Sequence, residues 1–198
     1  LTQDNTKESY IHYIKLLESL NTPIYSIPGN HDNKTIMRSV LKKPLFHYCD
    51  ELVIHNWLII GIDSSKEHSP SGNISQRELQ RLKSSIKSTN AEYIMIYLHH
   101  QPININSRWI DVIGLENKNE LYEILNNNKK IRALFFGHIH QSVEMHYGDI
   151  QVIGTPSTCR QFKPNSNSFA MDNSPPGYRE IQLNQNGSID TNVVWLNQ

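Results

Sequence analysis

Cysteine is almost missing from this chain: only Cys49 and Cys159 occur in 198 residues. Two cysteines make no disulfide framework, so a reducing, cytoplasmic setting is the default expectation. Net charge is also missing. Nineteen basic residues balance nineteen acidic ones, which removes the electrostatic case for nucleic acid or an anionic membrane as the main partner. No apolar run approaches the roughly 20 residues that span a bilayer, and the chain does not open with a basic and then apolar signal sequence. Internal repeats, low-complexity tracts and linkers are absent too, so residues 1–198 suit a single domain with a real core. What is plentiful is histidine, with ten residues, and the placement of some of them is informative.

The hydrophobic pattern predicts a helix over Thr6–Leu20, a short strand over Pro23–Ile27 and a short helix over Thr35–Leu41. Leu52–Ile54 and Trp57–Ile62 read as a hairpin turning at His55-Asn56. Ser75 with Glu78 is a capping box opening a polar helix to about Ser88. Tyr93–Leu98 and Ile131–Phe136 are buried strands, separated by an irregular loop over 101–117 and a helix over Asn119–Asn127. Short strands follow at Val143–Met145, Gln151–Ile153, Tyr178–Leu183 and Ile189–Leu196, with turns at Gly148 and Gly187. Mixed α/β order followed by mostly antiparallel strands predicts an α/β (α+β) fold: two mixed β-sheets in a sandwich flanked by helices.

Three strand ends carry metal-binding chemistry. Gly29-Asn30-His31-Asp32 follows Tyr25-Ser26-Ile27; its glycine permits a sharp turn and its Asn30 amide oxygen is a hard neutral donor. His31 is either a proton donor or phosphate ligand, or a solvated turn residue. His99-His100 closes Tyr93–Leu98. Successive strand residues face opposite ways, so at most one of the pair is expected in a shared site, the other being supporting or structural. Gly137-His138-Ile139-His140 closes Ile131–Phe136, and extended backbone would put His138 and His140 on one face. Convergence of these ends reads as a metallohydrolase. The loop Ile103–Leu115, directly after the His99 strand, is expected over the site. Its Trp109 would stack on a purine and its Arg108 would meet phosphate, unless the loop is simply docked on the body.

Gly29-Asn30-His31-Asp32, His99 and Gly137-His138-Ile139-His140 resemble the later motifs of the calcineurin-like metallophosphoesterases. That superfamily opens with an Asp-x-His and a Gly-Asp motif, neither of which precedes Gly29 here. Leu1-Thr2-Gln3-Asp4 looks like the sequence just after that Gly-Asp, so the chain is expected to lack the N-terminal strands and a bridging aspartate. Thr155-Pro156-Ser157-Thr158-Cys159-Arg160-Gln161-Phe162-Lys163-Pro164 and Pro176-Gly177-Tyr178-Arg179 resemble, more specifically, the bacterial class III 3′,5′-cyclic-AMP phosphodiesterases. The resemblance spans nearly the whole chain and implies a nucleotide-binding hydrolase with a dinuclear centre whose hydroxide opens cyclic AMP to 5′-AMP. Carried over by position, Asn30, His99 and His138 would bind one divalent metal and His140 the other. His31 would be catalytic, stabilising the transition state or protonating the leaving oxygen, and Asn30, His31 and His140 would also meet substrate beside Trp109 and Arg108. Mixed N/O donors suit iron, manganese or zinc, and a hydroxide nucleophile leaves Cys159 no covalent role. Without its bridging carboxylate the chain is expected to be inactive, holding at most one metal weakly. An exposed sheet edge would then invite a homodimer. Competing readings are a phosphoesterase of the same fold acting on another diester or monoester, and a non-catalytic scaffold, against which the retained Asn30 and histidines argue.

Overall fold

The computed structural model describes residues 1–196. Its helices are α1 (Lys7–Leu17, extended by a 3-10 turn at Glu18–Leu20), α2 (Lys34–Val40), α3 (Gln76–Ser88), α4 (Arg108–Asp111) and α5 (Lys118–Asn126). The strands are β1 (Ile24–Ser26), β2 (Phe46–Tyr48), β3 (Glu51–Ile54), β4 (Trp57–Gly61), β5 (Tyr93–Leu98), β6 (Ile131–Phe136), β7 (Val143–Tyr147), β8 (Ile150–Gly154), β9 (Gln161–Phe162), β10 (Met171–Asp172), β11 (Gly177–Leu183) and β12 (Ile189–Trp195).

A six-stranded mixed sheet in the order β3-β4-β5-β6-β8-β7 forms the frame. Strands β4, β5, β6 and β8 run parallel, and β3 and β7 close the edges antiparallel. The parallel strands are apolar on both faces because both faces are covered. Alternate residues Leu58, Ile60, Ile94, Ile96, Leu134, Phe136 and Val152 pack against Leu79, Leu82 and Ile86 of α3 and Leu121, Ile124 and Leu125 of α5. The intervening Trp57, Met95, Ala133, Phe135 and Ile153 face Leu183 and Ile189 of the β11–β12 ribbon. A smaller core joins Tyr10 and Ile14 of α1 to Met37, Leu41 and Phe46.

The layer opposite the helices consists of two-stranded pieces, the parallel β1–β2 pair and the β11–β12 ribbon, rather than one continuous sheet. Strand β8, expected among the antiparallel strands of the C-terminal third, belongs to the central sheet. The β7–β8 hairpin folds back so that β8 lies parallel to β6, placing the apolar Val152 and Ile153 on either face of the core. The 101–117 segment is not wholly irregular: it winds into α4, whose approach is fixed by Asp111 accepting hydrogen bonds from the Ile105 and Ser107 amides at 2.8 and 3.0 Å. Short β2, β9 and β10 lie outside the expected strands, being too brief for a period-2 signal. Ser75 caps α3 through the Glu78 amide at 3.2 Å, but the Glu78 carboxylate turns to the Asp63 amide and Arg81 instead of completing the box.

Trp57 ties the two layers. Its side chain is buried and its Nε1 donates to the Asn184 carbonyl at 2.8 Å, in the turn between β11 and β12. Trp57→Ala is expected to cost about 3–5 kcal/mol of stability, read as a lowered urea midpoint at unchanged slope.

Candidate metal centre

Four parallel strands end at the same rim of the sheet, where the crevice of an open α/β sheet takes its ligands. Beyond β5 the chain bends at His99-His100, and Pro102 cannot continue a ladder. Beyond β6 it turns, with the Gly137 and His138 amides both donating to the His99 carbonyl at 3.1 and 3.0 Å. That main-chain clamp fixes two histidine-bearing ends side by side. The third end follows β1. Gly29–Asp32 closes a turn through the Asp32 amide and the Gly29 carbonyl (3.1 Å), and the Asp32 carboxylate accepts from the Gly29 amide (2.8 Å) and the Tyr10 hydroxyl (2.9 Å). Asn30 and His31 occupy the corner of this braced turn. Gly29 must be glycine: a Cβ there would lie 2.9 Å from Cε1 of His99.

These ends bring Asn30, His99 and His138 together. His99 Nε2 lies 3.0 Å from Asn30 Oδ1 and 3.1 Å from His138 Nδ1. Two donors held about 2.1 Å from one ion at angles of 90–110° are themselves about 3–3.4 Å apart, so the spacing suits a shared divalent cation. Protonation suits it too. Burial, reinforced by His100 and then His138, holds His99 well below the ordinary imidazole range. Burial and the neighbouring His100 and His140 lower His138 to about 3. Neutral imidazoles keep the lone pairs a metal requires.

His100 joins the cluster, against the expectation that only one of the pair would approach it. Strand alternation lapses because β5 stops at Leu98. The ring centroids of His99 and His138 lie 4.9 and 4.8 Å from that of His100. The ligand atoms of His99, His100 and His138 fall within 4.8 Å of one another. His100 is fully buried, lowered to about 4 chiefly by burial, and its Nδ1 meets the Ser64 hydroxyl at 2.9 Å. Gly72 packs so close to His100 that a side chain there would collide with the imidazole. Nε2 of both His100 and His138 is buried without a protein hydrogen-bond partner among the described residues.

His140 stands apart from this trio. The Gly137–His140 stretch is a turn, not extended backbone, with His140 in the left-handed region at φ 48° and its amide bonded to the Gly137 carbonyl at 3.0 Å. The face-sharing argument from i, i+2 alternation therefore does not apply. His140 Nδ1 donates to the Arg160 carbonyl at 2.9 Å. A carbonyl only accepts, so Nδ1 carries the proton and Nε2 keeps a free lone pair. The ring stacks on Phe162, with centroids 4.4 Å apart and planes 2° from parallel. His31 is exposed at its turn, its Nδ1 3.3 Å from Gln3 Nε2. Trp109 reaches His140 only through Phe162, which it meets edge-on at 5.1 Å. Arg108 is exposed and lines a hollow of about 470 Å³ with Asn104, Asn106, Asp111, Val112 and Asn167, none of them a donor of the cluster.

The calcineurin-like phosphoesterase family model matches residues 3–142. The chain belongs to that family. Calcineurin-like phosphoesterases use divalent metal ions, and the histidine cluster is the place where this member would hold one. A 3′,5′-cyclic adenosine monophosphate phosphodiesterase CpdA of Haemophilus influenzae is 37% identical over 199 residues, covering 100% of this chain and 73% of that protein. Its namesake in Vibrio vulnificus is 33% identical over 197 residues, with 99% and 72% covered. A 3′,5′-cyclic-nucleotide phosphodiesterase of Nostoc is 33% identical, with 98% and 73% covered. In fold, the phosphoesterase resembles a dimetal phosphatase of Danio rerio (TM-score 0.60, 15% identity, 88% of this chain and 73% of that one). It also resembles the Plasmodium protein GAP50 (TM-score 0.61, 14% identity, 87% and 62%). No helix among the described residues is long and apolar enough to cross a membrane.

Sequence reasoning gave Asp32 and Ser64 no role and cast one of the His99-His100 pair as supporting or structural. Asp32 was visible as the fourth residue of a Gly-Asn-His-Asp turn, where a carboxylate caps its own turn; Ser64 has no local signal. Two outcomes are expected. His138→Ala should weaken Mn²⁺ binding, measured by titration calorimetry, by more than the roughly 10–100-fold typical of losing a supporting hydrogen bond. The metal-free protein should lose stability as pH falls. Unfolded imidazoles titrate near 6.5, whereas folded His100 and His138 titrate near 4 and 3, so the unfolded state binds more protons across that window. Denaturant midpoints at pH 7 and 4.5 should therefore differ more for the native protein than for His138→Gln.

Proposed function

We propose that this phosphoesterase hydrolyses a 3′,5′-cyclic nucleotide, cyclic AMP by preference, to the 5′-monophosphate at two divalent ions. The observation that carries the reading is the meeting of Asn30, His99 and His138 at about 3 Å from three separate strand ends. It is supported by the names of relatives 31–37% identical that match 98–100% of this chain. Asn30 Oδ1, His99 Nε2 and His138 Nδ1 would hold one ion, with His100 as a further candidate donor, and His140, through its free Nε2, would serve the other. Manganese or iron suits this donor set, and zinc is compatible with it. When bound, such an ion pair polarises the phosphoryl oxygens and lowers the pKa of a coordinated water toward neutrality.

The protein's own groups do the rest. The braced Gly29–Asp32 turn holds the Asn30 amide and the His31 ring over the same rim, so both meet the phosphate. Gln3 Nε2 donates to His31 Nδ1, which leaves the proton of the neutral ring on Nε2. As the water oxygen bonds to phosphorus and the 3′ oxygen–phosphorus bond breaks, the His31 Nε2–H would hydrogen-bond the departing 3′ oxygen, which takes up the proton the water gives up. Arg160, inside the segment that most resembles cyclic-AMP phosphodiesterases, holds His140 through its carbonyl, which ties that segment to the chemistry.

The test is a side-by-side assay with Mn²⁺ of cyclic AMP, cyclic GMP and bis(p-nitrophenyl) phosphate. Cyclic AMP should give the highest kcat/KM, and preference for the unrelated ester over both nucleotides would overturn the reading. His31→Ala should lower kcat by about 10²–10³-fold with little change in KM; an unchanged kcat removes His31 from stabilising the departing oxygen.

A further inference from the structure

We infer that Phe169 is the surface on which the base of the nucleotide stacks, an assignment that rests on the cyclic-nucleotide reading above. Aromatic rings run outward from His140 without a break. Phe162 stacks on His140. Phe169 meets Phe162 at 5.6 Å and Trp109 at 5.2 Å, in both cases edge to face. Trp109 and Phe162 are half-buried, but Phe169 is 60% exposed. The exposed member of the trio, and so the one with a free face, is therefore Phe169 and not Trp109, whose ring is engaged edgewise with both phenylalanines.

The ring is presented rather than left loose. Phe162 and Met171 pair across the β9–β10 ribbon, and Lys163 donates its amide to the Ala170 carbonyl at 2.9 Å. The loop tip is pinned to the α4 segment by the Ser166 amide on the hydroxyl of the fully buried Ser107, at 3.3 Å. An apolar ring held by two aromatic neighbours and still turned to solvent is a stacking platform awaiting a flat partner. Its place decides which partner. The phosphorus of the substrate sits at the His140 end of the row, and the base lies one ribose away from it. A neutral π-face holds any base without reading its edge, so Phe169 supplies affinity for the base but no choice between adenine and guanine.

Equilibrium binding of 5′-AMP and of ribose 5-phosphate to the Mn²⁺-loaded protein isolates the base. The native protein should prefer 5′-AMP. Phe169→Ala should weaken 5′-AMP by about 5- to 100-fold and leave ribose 5-phosphate unchanged, and Phe169→Trp should restore the preference. Native preference for 5′-AMP that persists in Phe169→Ala overturns the assignment while the substrate reading stands. Equal weakening of both ligands also overturns it, since the ring would then act through loop geometry. A native protein that binds 5′-AMP no better than ribose 5-phosphate defeats the cyclic-nucleotide reading itself, and this assignment with it.

Discussion

Around His99 Nε2, two acceptor-capable atoms compete for at most one proton. Asn30 Oδ1 and His138 Nδ1 both lie within about 3.1 Å of it, and an Nε2 that carries one hydrogen can aim it squarely at only one of them. A shared cation would take all three lone pairs at once and relieve that conflict. The surrounding architecture reads as the means of imposing it: the shared His99 carbonyl that clamps β6 to β5, the carboxylate that closes the Gly29–Asp32 turn, and the glycine that admits the His99 ring. Folding forces these donors together, and part of the stability spent there returns when an ion binds.

The scaffold can bear this because the central sheet is covered on both faces. Helices α3 and α5 seal one side and the β11–β12 ribbon the other, leaving polar side chains concentrated at the carboxyl rim. Arg179, its side chain almost wholly buried, bonds Glu144, Ser142, Thr191 and the Gly154 carbonyl, and so fastens the ribbon to the β7–β8 hairpin beside that rim. Gln161, buried among the Ser157 main chain and the Pro175 carbonyl, does the same for the loop that supports His140.

Much of this was legible in the chain. Runs such as Tyr93–Leu98 and Ile131–Phe136 are long and uniformly apolar, and they are strands with the expected bounds. The strand-end positions of His99 and His138 sufficed to foresee their meeting, because the parallel β5 and β6 deliver their carboxyl ends to one edge, and the turn after β1, from a separate two-stranded sheet, brings Asn30 to them. What failed were inferences that extended strand geometry past the strand. His100 and His140 were placed by period-2 alternation, yet both lie in bends where the chain has left the ladder. Ser64, 36 residues from His100 in sequence, could not be found by any local pattern. The division of the second layer into ribbons was equally hidden, since pairing partners are set by tertiary packing and not by the strands' own composition.

The bond from His140 to the Arg160 carbonyl has a consequence for how this site can vary. The imidazole is steered by a peptide oxygen that every residue type supplies, so the guanidinium at position 160 is free to change while the path of the backbone is not. Tolerance to replacement should therefore be a poor guide to importance along this loop. The residue nearest the chemistry can drift, and the burden of keeping the ring aimed falls on its neighbour Gln161, whose amide fixes the curve of the chain.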